Sequence, residues 1–328
     1  MKKTVCILLA VMLALTVLFL LTACNSGKSP GQLKIGVLKW VTHGALDSAE
    51  QGFIDALNDN GYADGVNITI DKQNANDNST TAASIADKFV NNKTDLILAI
   101  ATPAVQSLQS KTETIPILGT AVTDYVRANL VASNEKPGKN ISGTSDLTPI
   151  AEQFDMLLKV LPNTKTVGII YNSSEDNSAI QAADAKTIAE SKGLTVLIKT
   201  FSSVNDIPQT AASLAKDVDA FWIPTDNMLA SAMNVLIDKT MENHIPVVCS
   251  EENQVKGGGA FTIGINYYEL GYQTGEMAVR ILKDGAKPAD MPIEFQNKMA
   301  VAIHKANADA LGIQFPAEIL EIAEDLSK

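Results

Sequence analysis

The sequence predicts an α/β protein made of two doubly wound parallel-sheet lobes joined by a multi-strand hinge. Three observations carry this expectation. Short apolar runs bounded by turn residues alternate with helical stretches along most of the chain, as in parallel sheets covered by helices. The alternation breaks off after Asp124, resumes near Ile150, and is spread over 328 residues, enough for two cores. Finally, the apolar runs end in small polar residues, which an α/β sheet places at its ligand-binding carboxyl edge.

The clearest such run is Ile117-Leu-Gly-Thr-Ala-Val-Thr-Asp124. It starts behind Pro116 as a strand buried on both faces and passes into Thr120, Thr123 and Asp124. Similar ends recur at Ala101-Thr-Pro103, Asn172-Ser-Ser174 and Thr225-Asp-Asn227. They are expected to line one cleft between the lobes.

The elements follow in order. Leu33 to Leu38 reads as a strand and Trp40 to His43 as the loop after it. Leu46, Ala49, Phe53 and Leu57 stand at helical spacing, and Gly61 ends that helix. A strand at Val66–Ile70, a polar turn at Asn74–Asn78 and a helix at Thr80–Val90 come next. The strand Asp95–Ile100 runs into Thr102-Pro103, a cap followed by a first-turn proline. The segment after Asp124, with Pro137-Gly138 and Asn140 to Thr144, is expected to be the first crossing between lobes. Helices are then expected at 150–161, 179–191, 207–215 and 228–241, and strands at 167–171, 194–201, 220–223 and 245–249. A strand ending at Asn266 leads into a helix at Tyr267–Leu282, whose Gly271, Gly275 and Ala278 permit close packing. A strand at Met299–Ile303 and a helix at Lys305–Leu311 close the pattern. Residues 33–142 with 267–291 form one expected lobe, and 143–266 with 292–328 the other. Several crossing strands make a hinged clamp.

Charge and the amino terminus narrow the class. The net charge is −11, and the first 23 residues hold Lys2 and Lys3 but no acid, so the remainder is more acidic still. Nucleic acid, which demands a basic face, is excluded as a partner. Lys2-Lys3, the apolar run Val5–Leu21 and Leu21-Thr-Ala-Cys24 resemble the signal peptide and lipobox of a bacterial lipoprotein. Residues 1–23 would be the signal, Cys24 the acylated (palmitate-bearing) anchor, and 24–32 a polar tether holding the protein on the outer side of a cell membrane. Cys6 leaves with the signal, so Cys249 stands alone and no internal disulfide is expected.

Candidate binding residues are the polar strand ends and the aromatics beside them. Thr102, Thr123, Ser173, Ser174 and Asn227 sit at helix starts and offer side chains and unpaired N–H groups to a carboxylate or a sugar hydroxyl, and Asn172 and Thr225 are ligand candidates at the same strand ends. Asp124, Asp226 and Glu251 are acids suited to an ammonium group, Asn266 ends a further strand, and His43 follows the first strand. Trp40 and Tyr125 follow strands, where a ring is free to stack on a ligand, whereas Trp222 lies inside an apolar strand and reads as core. The three histidines show no metal spacing, Gly257–Gly259 is not a phosphate loop, and there is no nucleophile elbow. Neither a metal, a cofactor nor catalysis is expected.

His43-Gly-Ala-Leu-Asp47, Thr120 to Asp124, Asn140-Ile-Ser-Gly-Thr-Ser-Asp146, Val167 to Glu175, Ile223-Pro-Thr-Asp-Asn227 and Gly264 to Gly271 together resemble the tryptophan/tyrosine-type ABC transporter substrate-binding lipoproteins. That resemblance implies the type I periplasmic-binding-protein fold, a monomer that captures a small solute, and delivery to a membrane permease. Several members take aromatic amino acids. Two positions depart from the family pattern: Tyr125 stands where Pro is expected, and Asn266 where Asp is expected. Two other readings remain open, a ligand-sensing lipoprotein that signals to a membrane partner, and a secreted hydrolase using Ser173 or an acid pair.

Overall fold

The computed structural model describes residues 32–327. The signal segment, Cys24 and nearly all of the tether therefore lie outside the described residues. Among those described, no helix is long and apolar enough to cross a membrane.

The chain forms two sheets. The first has six parallel strands in the order β11-β5-β4-β3-β1-β2. They are β1 (Leu33–Lys39), β2 (Ile68–Asn74), β3 (Leu96–Ile100), β4 (Ile117–Val122), β5 (Ile141–Ser145) and β11 (Glu294–Phe295). The second has seven strands in the order β13-β12-β10-β9-β8-β6-β7, parallel except where β10 meets β12. These are β6 (Thr166–Asn172), β7 (Thr195–Phe201), β8 (Ala220–Trp222), β9 (Val247–Val248), β10 (Phe261–Gly264), β12 (Ala300–Ile303) and β13 (Glu324–Asp325). Two doubly wound lobes, as the alternation of elements requires, are thus present.

The central strands β3 and β4 are buried at every position, which is why Leu96–Ile100 and Ile117–Val122 read as continuous apolar or small runs. Helices α1 (Gly44–Asp59) and α10 (Tyr267–Asp284) pack against each other beside β4, while α2 (Ser79–Asn91) and α3 (Thr102–Gln109) pack together on β1, β3 and β4. The small residues on α1 and α10 set their separation. A Cβ on Gly271 would stand 1.9 Å from Ala49 O, and one on Gly52 2.1 Å from Tyr268 O. The second lobe carries α4 (Ile150–Val160) and α5 (Asp176–Ser191) in one core, and α6 (Ile207–Leu214), α7 (Asn227–Ser231) and α8 (Met233–Glu242) in another. Trp222 belongs to the first of these, stacked on Phe154 at 5.9 Å with its Nε1–H donating to Gln153 Oε1 at 2.9 Å. Cys249 is a buried residue at the end of β9, its thiol pushed up by burial.

Several boundaries differ from expectation. The segment 141–145, expected at the first crossing, is a strand paired with β4, so the chain leaves the first sheet after Ser145. Its polar sequence misleads because Ser142 and Thr144 spend their hydroxyls on Met291 O and on Thr120 and Thr274. The chain also crosses after β10 and after β11. The helix expected over 228–241 is two helices broken at Ala232, and a short helix α9 (Glu252–Lys256) follows Glu251.

Candidate functional site

The carboxyl ends of both sheets face one another, and residues from both edges line a shared cavity. His43, Ala45, Leu46, Ala121 and Tyr267 come from the first lobe and its hinge, and Thr225, Asp226, Asn227, Ala230, Glu251 and Gln254 from the second; Asp146 sits at the first crossing. Its empty volume is about 270 Å³, but the centre of a water-sized sphere has only about 10 Å³ in which to move. The lobes are closed.

Closure is carried by side chains that reach across. Gln181 Nε2 donates to Thr123 Oγ1 at 3.2 Å and to Thr225 Oγ1 at 2.8 Å, and the two threonine hydroxyls lie 3.4 Å apart. His43 Nε2 meets Asn227 Oδ1 at 3.3 Å. On the rim, Gln106 Nε2 donates to Asp176 Oδ2 at 2.8 Å, and Arg127 Nη1 to Asp184 Oδ2 at 2.5 Å.

The second lobe's edge is a carboxylate network. Glu175 is buried and accepts from Asn172 Nδ2, Asn177 Nδ2, Asn227 N and Nδ2, and Met228 N. Asp226 is fully buried, accepts from Asn172 N at 2.7 Å and Leu229 N at 2.8 Å, and so caps α7. Burial and the neighbouring Glu175 charge push its carboxyl well up. Glu251 caps α9 through Asn253 N and Gln254 N, and burial raises it to about 7. At the hinge, burial raises Asp146 to about 6 although Tyr267 OH donates to it at 2.6 Å and Thr123 Oγ1 at 3.2 Å. None of these four acids has a Lys or Arg partner among the described residues.

The first lobe's edge is different. Ala101 and Ala121 hold φ of 85° and 56°, in the left-handed region that alanine disfavours by about 1–2 kcal/mol. These turns end β3 and displace the register of β4 between Gly119 and Val122. Thr102 is buried at the start of α3 with its Oγ1 unpartnered. Trp40 is buried too; its Nε1 has the Asp77 carboxyl beside it but no well-formed hydrogen bond. Burial holds His43 down to about 4, so the ring is neutral. Because Glu175 only accepts, it fixes Asn227 Nδ2 as the donor. Asn227 Oδ1 then takes His43 Nε2–H, and His43 Nδ1 is left as an unpartnered acceptor.

Of the candidates named from sequence, His43, Thr225, Asp226 and Glu251 line the cavity, and Thr123 is tied to Thr225 beside it. Trp40 and Thr102 are buried at strand ends of the same edge. Asn172 serves the second lobe's internal network. Asp124 caps the turn at Val126 and Arg127 on the rim. Three candidates are elsewhere. Tyr125 turns into the first lobe's core and donates to Thr144 O at 3.1 Å; its hydroxyl occupies the space that Cβ atoms on Gly119 and Gly143 would fill. Ser173 is exposed and donates to Phe201 O beside β7. Asn266 caps α10 through Glu269 N and lies at the hinge, outside the cavity. Asn and Asp serve equally as caps, so the departure at 266 leaves the cavity untouched. Asp77, Asp146, Asn177 and Gln181 were not singled out from sequence. A signal for two of them exists: the first turns of α5 bury Asn177, Ser178 and Gln181, where an ordinary helix buries apolar residues.

Comparison with known proteins adds the family. The model of the ABC transporter substrate binding protein family matches residues 34–327. The tyrosine-binding protein of Clostridioides difficile (strain R20291) is 41% identical over 295 residues, spanning 89% of this chain and 85% of the relative. A Streptococcus pneumoniae ABC domain solved in complex with L-Trp is 38% identical, with a TM-score of 0.87 over 90% of this chain and 99% of that one. The ligand-free, open structure of a Clostridium difficile substrate-binding protein with adhesive properties is 41% identical over 89% of this chain and 99% of that one, yet its TM-score is 0.70. The TM-score is thus lower for the ligand-free, open structure than for the L-Trp complex although the identity is higher.

Proposed function

This chain belongs to the ABC transporter substrate-binding protein family, and from that premise we propose that it binds an aromatic amino acid between its lobes. The supporting observation is a set of buried polar atoms without partners. Trp40 Nε1–H and Thr102 Oγ1–H are donors, whereas His43 Nδ1 and Asn177 Oδ1 are acceptors. His43 lines the cavity, and Trp40 and Thr102 lie at strand ends of the same edge; buried polar groups are almost always paired, so these atoms favour a ligand that supplies both kinds of partner. The ammonium and carboxylate of an amino acid do so. The ring would then lie among Ala45, Leu46, Ala121 and Ala230. Burying about 150–250 Å² of ring contributes about 4–6 kcal/mol, a large share of the ~8 kcal/mol behind micromolar affinity. The 10 Å³ of free space means that the lobes part to admit the ligand and reclose around it.

In this reading the protein catalyses nothing, is held outside the cell by a lipid on Cys24, and hands its ligand to a membrane permease. The tyrosine and L-Trp named for two of its relatives favour the aromatic ligand. Isothermal calorimetry against the twenty amino acids tests the ligand. Micromolar or tighter binding of L-Trp, L-Tyr or L-Phe is expected; no heat with all three removes the aromatic assignment.

A further inference from the structure

Two histidines stand at the same place on a helix, the cap before its first turn, and use their rings differently. His304 precedes the helix Lys305–Ala310 and accepts Asn307 N–H on its Nδ1 at 3.2 Å. His43 precedes α1 and caps nothing with its side chain. Its ring lines the cavity and reaches across the lobe divide, where Nε2 meets Asn227 Oδ1 at 3.3 Å. Its Nδ1 is sealed from solvent and has no partner.

That free nitrogen can only accept. Glu175 takes Asn227 Nδ2 and so orients the amide, and Asn227 Oδ1 takes the proton on His43 Nε2. Burial keeps the ring neutral, which leaves the lone pair on Nδ1. Glu175 and Asn227 belong to the second lobe and His43 to the first. The tautomer is therefore fixed only while the lobes are shut; with the lobes apart, either ring nitrogen can carry the proton.

The rest of the cavity favours one kind of donor. Asp146, Asp226 and Glu251 line it beside His43, and no Lys or Arg among the described residues does. Each of these acids already accepts from backbone N–H groups or hydroxyls of the protein. A guest carrying positive charge is favoured in such surroundings and in turn favours the ionised acids. The acids supply the field, and His43 supplies the open acceptor.

Resting on the amino-acid reading, we infer that His43 Nδ1 accepts a hydrogen bond from the ligand's ammonium, and that Asn227, by fixing the tautomer across the lobe divide, makes His43 a specificity-determining residue only in the closed protein. Ligand selection is then coupled to closure through one hydrogen bond.

The test compares each amino acid with its deaminated analogue, indole-3-propionate for tryptophan and 4-hydroxyphenylpropionate for tyrosine, by calorimetry or competition. The native protein is expected to prefer the amino acid by about 100-fold or more, and His43→Phe, which keeps a ring without the acceptor, should cut that preference by about tenfold or more. The ratio of L-Tyr to L-Phe affinity should stay within about threefold of native in that variant, because the ring's own donor is not the partner. His43→Gln, whose amide offers an N–H to Asn227 and a free oxygen to the ligand, should recover most of the preference. Imidazole nitrogen resonances of the protein saturated with L-Trp, assigned by their loss in His43→Phe, are expected to show the Nε2–H tautomer; the Nδ1–H tautomer would overturn the proposal. In Asn227→Ala the two forms should mix, and a single persisting Nε2–H form would remove Asn227 from the account. If the native protein binds the amino acids and His43→Phe keeps the full preference for them over the deaminated acids, this ammonium contact is wrong while the ligand assignment stands. Loss of the L-Tyr to L-Phe discrimination instead would give the acceptor to the ring and overturn the ammonium contact. If the native protein binds none of the aromatic amino acids, the ligand assignment itself falls and takes this contact with it.

Discussion

The two edges of the cleft are built on opposite plans. The second lobe's edge has most of its polar groups already matched: Glu175, Asp226 and Glu251 are buried, and each is held by backbone N–H groups or amides of the same lobe, whereas Asn177 Oδ1 is left open. The first lobe's edge is unfinished. Thr102, Trp40 and His43 each bury a polar atom without a partner, and two alanines there hold left-handed turns. One edge spends most of its polar groups in contacts that support the fold; the other leaves more of them open. Residues of the same chemical kind, at the same end of the same kind of strand, thus differ in whether their loss harms stability or binding.

The largest expected effect follows from Glu175. Glu175→Ala removes five hydrogen bonds and leaves four donors unmatched, Asn177 Nδ2 keeping Thr225 O, and each buried orphan costs about 1–3 kcal/mol. Relief of the repulsion on Asp226 and Asp77 offsets part of this, so a net loss of about 3 kcal/mol in unfolding free energy is expected from denaturant melts. Thr102→Ala, on the other edge, removes a hydroxyl with no partner and should cost less than about 1 kcal/mol of stability while weakening ligand binding. Equal losses of stability in the two variants would erase the contrast between the edges.

The second effect is a pH dependence. A carboxyl whose folded pKa is raised keeps a proton that the unfolded chain releases, so stability falls as pH rises between the two values. Glu251, raised to about 7, and Asp226, raised by burial and Glu175, act in this sense. His43, lowered to about 4, acts oppositely, adding stability as pH rises towards its ordinary 6.5. Above pH 6.5 the opposition ends. Unfolding free energy without ligand should then fall by about 1 kcal/mol between pH 6.5 and pH 8, at up to ~1.4 kcal/mol per pH unit for each proton. Asp226→Asn should flatten that fall; an unchanged slope would remove Asp226 from the account.

The smallest effect concerns the rim. The Arg127–Asp184 pair joins the lobes away from the cavity, but its side chains are 42% and 35% exposed, so it contributes about 0–1 kcal/mol to closure. Arg127→Ala should weaken ligand affinity two- to fivefold with no change in ligand preference, and high salt should mask the difference. A loss beyond tenfold would mean that Arg127 does more than latch the lobes.

The sequence by itself determined the two α/β lobes, because apolar runs of strand length and helical spacing report burial directly. It located the edge that lines the inter-lobe cavity as well, since small polar residues at the ends of buried strands mark a sheet's carboxyl edge. His43, Thr225, Asp226 and Glu251 were legible for that reason. Tyr125 and Asn266 sit at equivalent strand ends but point into the core and onto a helix N-terminus, and Asn177 lies one turn inside a helix. What only the tertiary structure decided is which polar atoms find partners. A hydrogen bond such as Asn177 to Thr225, or Tyr267 to Asp146, joins residues 48 and 121 positions apart, and local sequence carries no record of such pairings.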